Sequence, residues 1–126
     1  MALPKANRLR QRRDFSTVYQ KGLRRSTRHL TLRALRLLRK GTPDDLSHLR
    51  PTQIGISIST KVSKRAVIRN RIKRWIKAVL RQFLPRLSSG WQIVIVVKPG
   101  AQECHYGEFL QELEQLLADI EVLNGR

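Results

Sequence analysis

The sequence has a single cysteine, Cys104, so no internal disulfide can form and a reducing compartment such as the cytoplasm suits the chain. It also lacks any apolar run near the roughly 18 residues of a membrane span, and Met1 to Ser16 is basic and broken by polar residues, unlike a secretory leader. No internal repeat or low-complexity tract is present. Carboxylates are scarce: 9 Asp and Glu stand against 26 Lys and Arg. A metal-dependent protein nuclease needs carboxylates or histidines converging on its ions, and before Gln102 only Asp14, Asp44 and Asp45 are available. Asp44 and Asp45 follow Pro43 in a turn-forming stretch, and Asp14 suits the first turn of a helix. His29, His48 and His105 are dispersed in sequence, and the neighbours Cys104 and His105 do not by adjacency make a nucleophile and base. The sequence therefore suggests no catalytic residue, no protein metal site and no small-molecule substrate.

What is abundant is positive charge. A formal charge of +17 on 126 residues, a length suited to one domain spanning 1–126, is self-repelling unless a polyanion neutralises it. The charge is polarised along the chain, with 25 basic and 3 acidic residues up to Ala101 but 1 basic and 6 acidic from Gln102 onward. The polyanion surface is accordingly expected before Gln102.

Periodicity supplies the elements. Phe15, Val18 and Tyr19 share one face of a helix expected over Gln11–Lys21, with Gly22 placed to stop it. His29–Leu38 alternates as a half-buried strand, Arg39–Pro51 is a loop, and Gln53–Ser59 sets Ile54, Ile56 and Ile58 on one side against small Gly55, Ser57 and Ser59. The small side leaves room for another group to approach. A long helix from about Ser63 to Leu84 carries Ile68, Ile72, Trp75, Ile76, Val79 and Phe83 as its apolar stripe, and Pro85 ends it. Trp91–Val97 is an unbroken apolar run, as in a central strand covered on both faces. A final helix over Glu103–Leu123 buries Phe109, Leu110, Leu113, Leu116, Leu117 and Ile120 and turns an acidic face outward, away from any polyanion. This order implies an α+β fold, a sheet packed with helices.

The long helix concentrates the cations. Lys61, Lys64, Arg65, Arg69, Arg71, Lys73, Arg74 and Lys77 crowd one segment, and Arg65, Arg69, Lys73, Lys77 and Arg81 recur at i,i+4, where each like-charge pair costs about 0.2–0.5 kcal/mol. No carboxylate intervenes. A solvated basic face is one explanation; phosphates that complete the ridge are the better one, because a solvated helix normally mixes signs. Asn70, between two arginines whose forks can grip phosphate twice, adds both donors and an acceptor.

The segment Ile54-Gly55-Ile56-Ser57-Ile58-Ser59-Thr60-Lys61-Val62 followed by Arg69-Asn70-Arg71-Ile72-Lys73-Arg74 resembles the RNR signature of the ribonuclease P protein family. Asn7-Arg8-Leu9-Arg10, Arg13 to Gly22, and Val97-Lys98-Pro99 resemble that family as well, so the similarity spans nearly the whole chain. The resemblance implies an α-β sandwich with a four-stranded sheet and a left-handed βαβ crossover through the RNR helix. It implies a non-catalytic subunit of a tRNA-processing endonuclease, a ribonucleoprotein whose RNA removes the 5′ leader of precursor tRNA with Mg2+ held mainly by that RNA. It also implies that the RNR positions Arg69, Asn70, Arg71, Lys73 and Arg74 face RNA; Lys61, Lys64, Arg65 and Lys77 are added to that RNA-binding set by the charge of the same segment. Phe15 and Tyr19 match the family's aromatic positions of a leader-binding cleft, although helical spacing alone would equally let them bury on the sheet. Arg33 stands where the family often places a third aromatic, so a guanidinium would have to stack or meet phosphate there. A ribosomal or general RNA-binding protein shares the charge and is the alternative.

Overall fold

The computed structural model describes residues 3–36 and 51–120. The end of the strand expected over His29–Leu38, nearly all of the loop with Asp44, Asp45 and His48, and the end of the last helix lie outside those residues.

Four strands form one mixed sheet: β1 (Leu23–Ser26), β2 (Leu30–Arg36), β3 (Gln53–Ser57) and β4 (Trp91–Val97), in the order β1-β2-β4-β3. β1–β2 and β2–β4 are antiparallel, whereas β3 and β4 run parallel and are joined through the long helix α2 (Ala66–Phe83). Two further helices, α1 (Arg12–Lys21) and α3 (Tyr106–Asp119), complete the α+β fold. Trp91–Val97 is an inner strand, as its unbroken apolar run required.

Strand alternation sorts the sheet into two faces. Across one face the register aligns Leu32, Ile95 and Ile56, and next to them Ala34, Ile93 and Ile54; this face packs on Ile72, Ile76, Val79 and Leu80 of α2 and on Phe109, Leu113, Leu116 and Leu117 of α3. Each Leu, Ile, Val or Phe of this set, taken out of water, stabilises the fold by about 1.5–3 kcal/mol. Across the other face run Arg33, Val94 and Gly55, then Thr31, Val96 and Ser57. Here α1 seats Val18 against Val94 and Leu9, with Phe15, Leu35 and Val96 at the margin.

Several boundaries differ from the sequence expectation. β1 was not anticipated, because Leu23-Arg24-Arg25-Ser26 is exposed at every position and shows no apolar pattern; pairing with β2 makes it a strand. α2 starts at Ala66 rather than Ser63, since the Ser63 hydroxyl takes the Arg65 N–H and the Ser63 carbonyl takes the Arg69 guanidinium, which fixes a turn first. β3 ends at Ser57, and α3 starts at Tyr106 after a 3-10 turn over Ala101–Glu103. The acidic face of α3 is not wholly outward either. Glu112 accepts from the Thr27 hydroxyl, from the His29 backbone N–H at 2.9 Å and from His29 Nδ1 at 2.7 Å, tying α3 to the turn between β1 and β2.

Gly22 ends α1 as expected, but for a spatial reason. Its φ of −82° suits any residue, yet a Cβ there would lie 2.6 Å from the Val18 carbonyl oxygen and 2.7 Å from that of Ala34. Neither backbone atom can swing away. Gly22→Ala is therefore expected to destabilise the fold by about 1–3 kcal/mol, seen as a lower urea midpoint with an unchanged slope.

Burial alone would raise the Glu112 carboxyl, but hydrogen bonds from Thr27 and His29, with the histidine charge, outweigh it and hold the group below its ordinary range. A depressed carboxyl stabilises the fold above its unfolded pKa and loses that contribution as pH falls through the folded one. Glu112→Gln should thus cost about 1–2 kcal/mol at neutral pH, after allowance for solvent screening. In denaturation curves taken at decreasing pH, the gap between wild type and variant should close below about pH 4.

Candidate nucleic-acid interface

The cations of α2 divide about its axis. Buried Ile72, Ile76, Val79, Leu80 and Phe83 face the sheet and α3, so the remaining positions fall on a crest and two flanks. Asn70 and Arg74 are exposed on the crest. Lys73 and Lys77 lie on one flank and Arg71 on the other, where its guanidinium carbon sits 5.2 Å from the centre of the Trp75 ring. Trp75 itself contacts Phe109 of α3 with ring centres 6.3 Å apart. Arg71 Nε is buried with no hydrogen-bond partner, so the ring holds the guanidinium while its fork remains to be satisfied from outside.

The ridge expected from i,i+4 spacing is shorter than the sequence suggested. Arg65 is the N-cap of α2 with extended backbone, and Arg69 folds back to donate to the Ser63 carbonyl at 2.8 Å. Lys61, Lys64 and Arg65 are exposed in the turn that leads into the helix. Among the described residues, none of Lys61, Lys64, Arg65, Arg69, Arg71, Lys73, Arg74 and Lys77 forms an ion pair with a carboxylate; the pair found is His29–Glu112. The first turn of α2 holds no acidic residue, and its N-cap makes no side-chain hydrogen bond to the helix. That end is doubly positive, from arginine and from helix dipole.

β3 is an edge strand, and the chain covers its free edge with its own amino-terminal arm. Leu9 donates its N–H to the Ile54 carbonyl at 3.1 Å, and Asn7 donates its side-chain amide to the Thr52 carbonyl at 2.8 Å. This brings Arg8 and Arg10 opposite Lys73 and Lys77, and the four cations line a groove whose wall includes Phe15 and Gly55. Sequence reasoning did not anticipate Arg8 and Arg10 here; only the pairing of residues 8–9 along β3 places them.

The aromatic cluster lies on the α1 face. The Phe15 ring occupies the space above Gly55, where a Cβ would come within 2.3 Å of its ring carbon, so the small side of β3 does admit a neighbour: an aromatic of the chain itself. Phe15 is half-buried on the sheet, whereas Tyr19 is 37% exposed. Arg33 reaches Tyr19, with its guanidinium 5.4 Å from the ring centre and a hydrogen bond of 3.1 Å to the Tyr19 carbonyl. A flat cation beside an exposed ring is a stacking platform of the kind an aromatic would extend. The cluster and the α2 cations meet at the groove, which Phe15 lines together with Lys73 and Lys77.

Of the other reactive groups, Asp14 sits in the first turn of α1. Burial pushes the Cys104 thiol up to about 11, with the charges of Glu108 and Glu112 adding to it, which leaves the free thiol protonated and a poor nucleophile at neutral pH. No helix among the described residues is long and apolar enough to cross a membrane.

The family model described as Ribonuclease P matches residues 3–121. The ribonuclease P protein components of Trichormus variabilis and Nostoc punctiforme are 56% and 54% identical, each alignment covering 99% of this chain and 99% of the relative. A solved RNase P protein of Staphylococcus aureus superposes with a TM-score of 0.77 at 25% identity, covering 95% of this chain and all of that one. The RNase P protein of Thermotoga maritima shares the fold with a TM-score of 0.72 at 23% identity, over 90% of this chain and 97% of its own.

Proposed function

The chain belongs to the ribonuclease P protein family, and we propose that it acts as the non-catalytic subunit of a ribonucleoprotein that removes the 5′ leader of precursor tRNA. The observation that carries this reading is that, among the described residues, Arg69, Arg71, Lys73, Arg74 and Lys77 of α2 form no ion pair with a carboxylate and lie beside an aromatic and arginine platform. Phosphates of the catalytic RNA would complete the crest and flanks of α2, with the guanidinium forks of Arg71 and Arg74 gripping in two places. The single-stranded leader would lie across the α1 face, its bases stacking on Tyr19, Phe15 and Arg33 without demanding a sequence. The groove lined by Arg8, Arg10, Lys73 and Lys77 would hold backbone where the two surfaces meet.

In this division of labour the protein positions substrate and screens charge, and the RNA supplies the reacting groups. Mg2+ prefers oxygen ligands in octahedral array, which RNA phosphates supply in number, and in this reading the RNA holds the ion. The test is reconstitution: purified protein should leave precursor tRNA intact, while added to its cognate catalytic RNA it should raise cleavage most at low Mg2+ and favour leader-bearing over mature tRNA. Cleavage by the protein without RNA, or binding indifferent to the leader, would count against the reading; the latter result would favour a general RNA-binding protein.

A further inference from the structure

The proposed RNA surface uses none of the acidic carboxy-terminal segment, and where that segment meets the β1–β2 turn there is a second arrangement of reactive side chains. His29, Cys104 and Glu108 each bring one potential ligand atom to within 4.8 Å of the others. They come from the turn between β1 and β2, from the residue after the 3-10 turn at Ala101–Glu103, and from the first turn of α3. We propose that His29, Cys104 and Glu108 bind one thiophilic divalent cation, Zn2+ being the best match, and that this ion clamps the β1–β2 turn to the start of α3.

The ligand chemistry is mixed in the way zinc accepts: one thiolate, one imidazole and one carboxylate, with room for water in the fourth position because Glu108 is exposed. Ligand atoms around tetrahedral zinc lie roughly 3.5 Å apart, given bonds of about 2.0–2.3 Å, so closing the site asks for about an ångström of movement. The exposed Glu108 carboxylate, one oxygen of which accepts the His105 backbone N–H at 3.0 Å as part of the α3 capping box, can supply it through its other oxygen. Glu112 already holds His29 through Nδ1 at 2.7 Å, which leaves the other ring nitrogen for the metal. A carboxylate on the far side of the imidazole is the outer-shell partner that metal-bound histidines usually have. Burial gives Cys104 a dry position, and metal binding would displace its proton to solvent. The nearby cations Arg28 and Lys98 oppose the ion, whereas Glu108 and Glu112 favour it. Magnesium does not suit a thiolate site, so the ion is distinct from any carried by RNA.

The experiment uses the full-length protein, free of RNA and stripped with chelator. Native mass spectrometry with Zn2+ alone should show one ion bound, and Co2+ in its place should give a thiolate-to-cobalt charge-transfer band. Cys104→Ala should abolish the band, and His29→Gln and Glu108→Gln should each weaken Zn2+ binding at least about tenfold. Added Zn2+ should raise the melting temperature of wild type and leave that of Cys104→Ala unchanged. Should Cys104→Ala fail to fold in chelator, the exposed Glu108→Gln variant decides by affinity. A wild-type protein that binds no stoichiometric Zn2+, or a cobalt complex without the band, or one that keeps it in Cys104→Ala, overturns the proposal.

Discussion

Replacing Arg71, Lys73, Arg74 and Lys77 together with alanine is expected to weaken binding to the catalytic RNA by roughly three orders of magnitude at moderate salt and to reduce the slope of log affinity against log salt by about three to four. The magnitude follows from four charge-assisted contacts worth about 1 kcal/mol each once screening at a wet surface is allowed for. The residues lie on both flanks and the crest of α2, and among the described residues none is paired with a carboxylate, so their loss should not unfold the domain. Arg71 is the one of the four with a local partner, the Trp75 ring, and Arg71→Ala alone should show a small stability change beside its binding change.

A bulk-charge explanation makes a different prediction, and a matched control separates the two. Arg12, Arg13, Arg24 and Arg25 are also exposed, on α1 and β1, and their replacement removes the same net charge from another part of the surface. If α2 is the RNA face, the control variant should lose much less affinity for the catalytic RNA. Equal losses in salt titrations of the two variants would mean that the charge acts as a cloud, and the assignment of α2 would fall.

Why α2 was legible and its surroundings were not comes down to which contacts are local. The basic helix announces itself in sequence because Arg69 to Lys77 combines one-signed charge with a 3.6-residue apolar period, and both properties belong to the segment alone. β4 is legible for a similar reason: seven apolar residues in a row have few places to go but the middle of a sheet. β1 carries no such signal, since Leu23 to Ser26 is a strand only by virtue of the register Leu23–Ala34 to Ser26–Thr31. The start of α2 was read three residues early because charge and periodicity run through Ser63-Lys64-Arg65, whereas the hydrogen bonds to Ser63 that delay the helix depend on a side chain folding back.

The site divides along the same line. Phe15 and Tyr19 could be placed on one helical face from spacing, but what separates them, Phe15 on Gly55 and Tyr19 beside Arg33, is set by strands distant in sequence. Arg8 and Arg10 enter the groove through pairing of the amino-terminal arm with the edge of β3, which no local pattern foretells. The convergence of His29, Cys104 and Glu108 is a purely tertiary event; the sequence presents them as dispersed, and only the packing of α3 against the β1–β2 turn gathers them.

Truncating Tyr19 to alanine is expected to lower the preference for precursor over mature tRNA by about 5- to 150-fold, the equivalent of the roughly 1–3 kcal/mol that one base gains by stacking on an aromatic face. Affinity for mature tRNA should stay as it was, since a substrate without a leader has no base to place there. Tyr19→Phe should keep most of the preference, because the ring and not the hydroxyl makes the stack. Arg33→Ala should fall between the two: the ring survives but loses the guanidinium 5.4 Å from its centre and the hydrogen bond that steadies its backbone carbonyl. Phe15→Ala is the less informative change, because removing a ring packed on Gly55 also opens a void beside Val94 and costs stability before any RNA binds. If Tyr19→Ala instead weakens both tRNAs equally and lowers the melting temperature, the exposed ring is part of the packing of α1. The leader would then have to be held elsewhere, with the groove of Arg8, Arg10, Lys73 and Lys77 as the remaining surface of suitable charge.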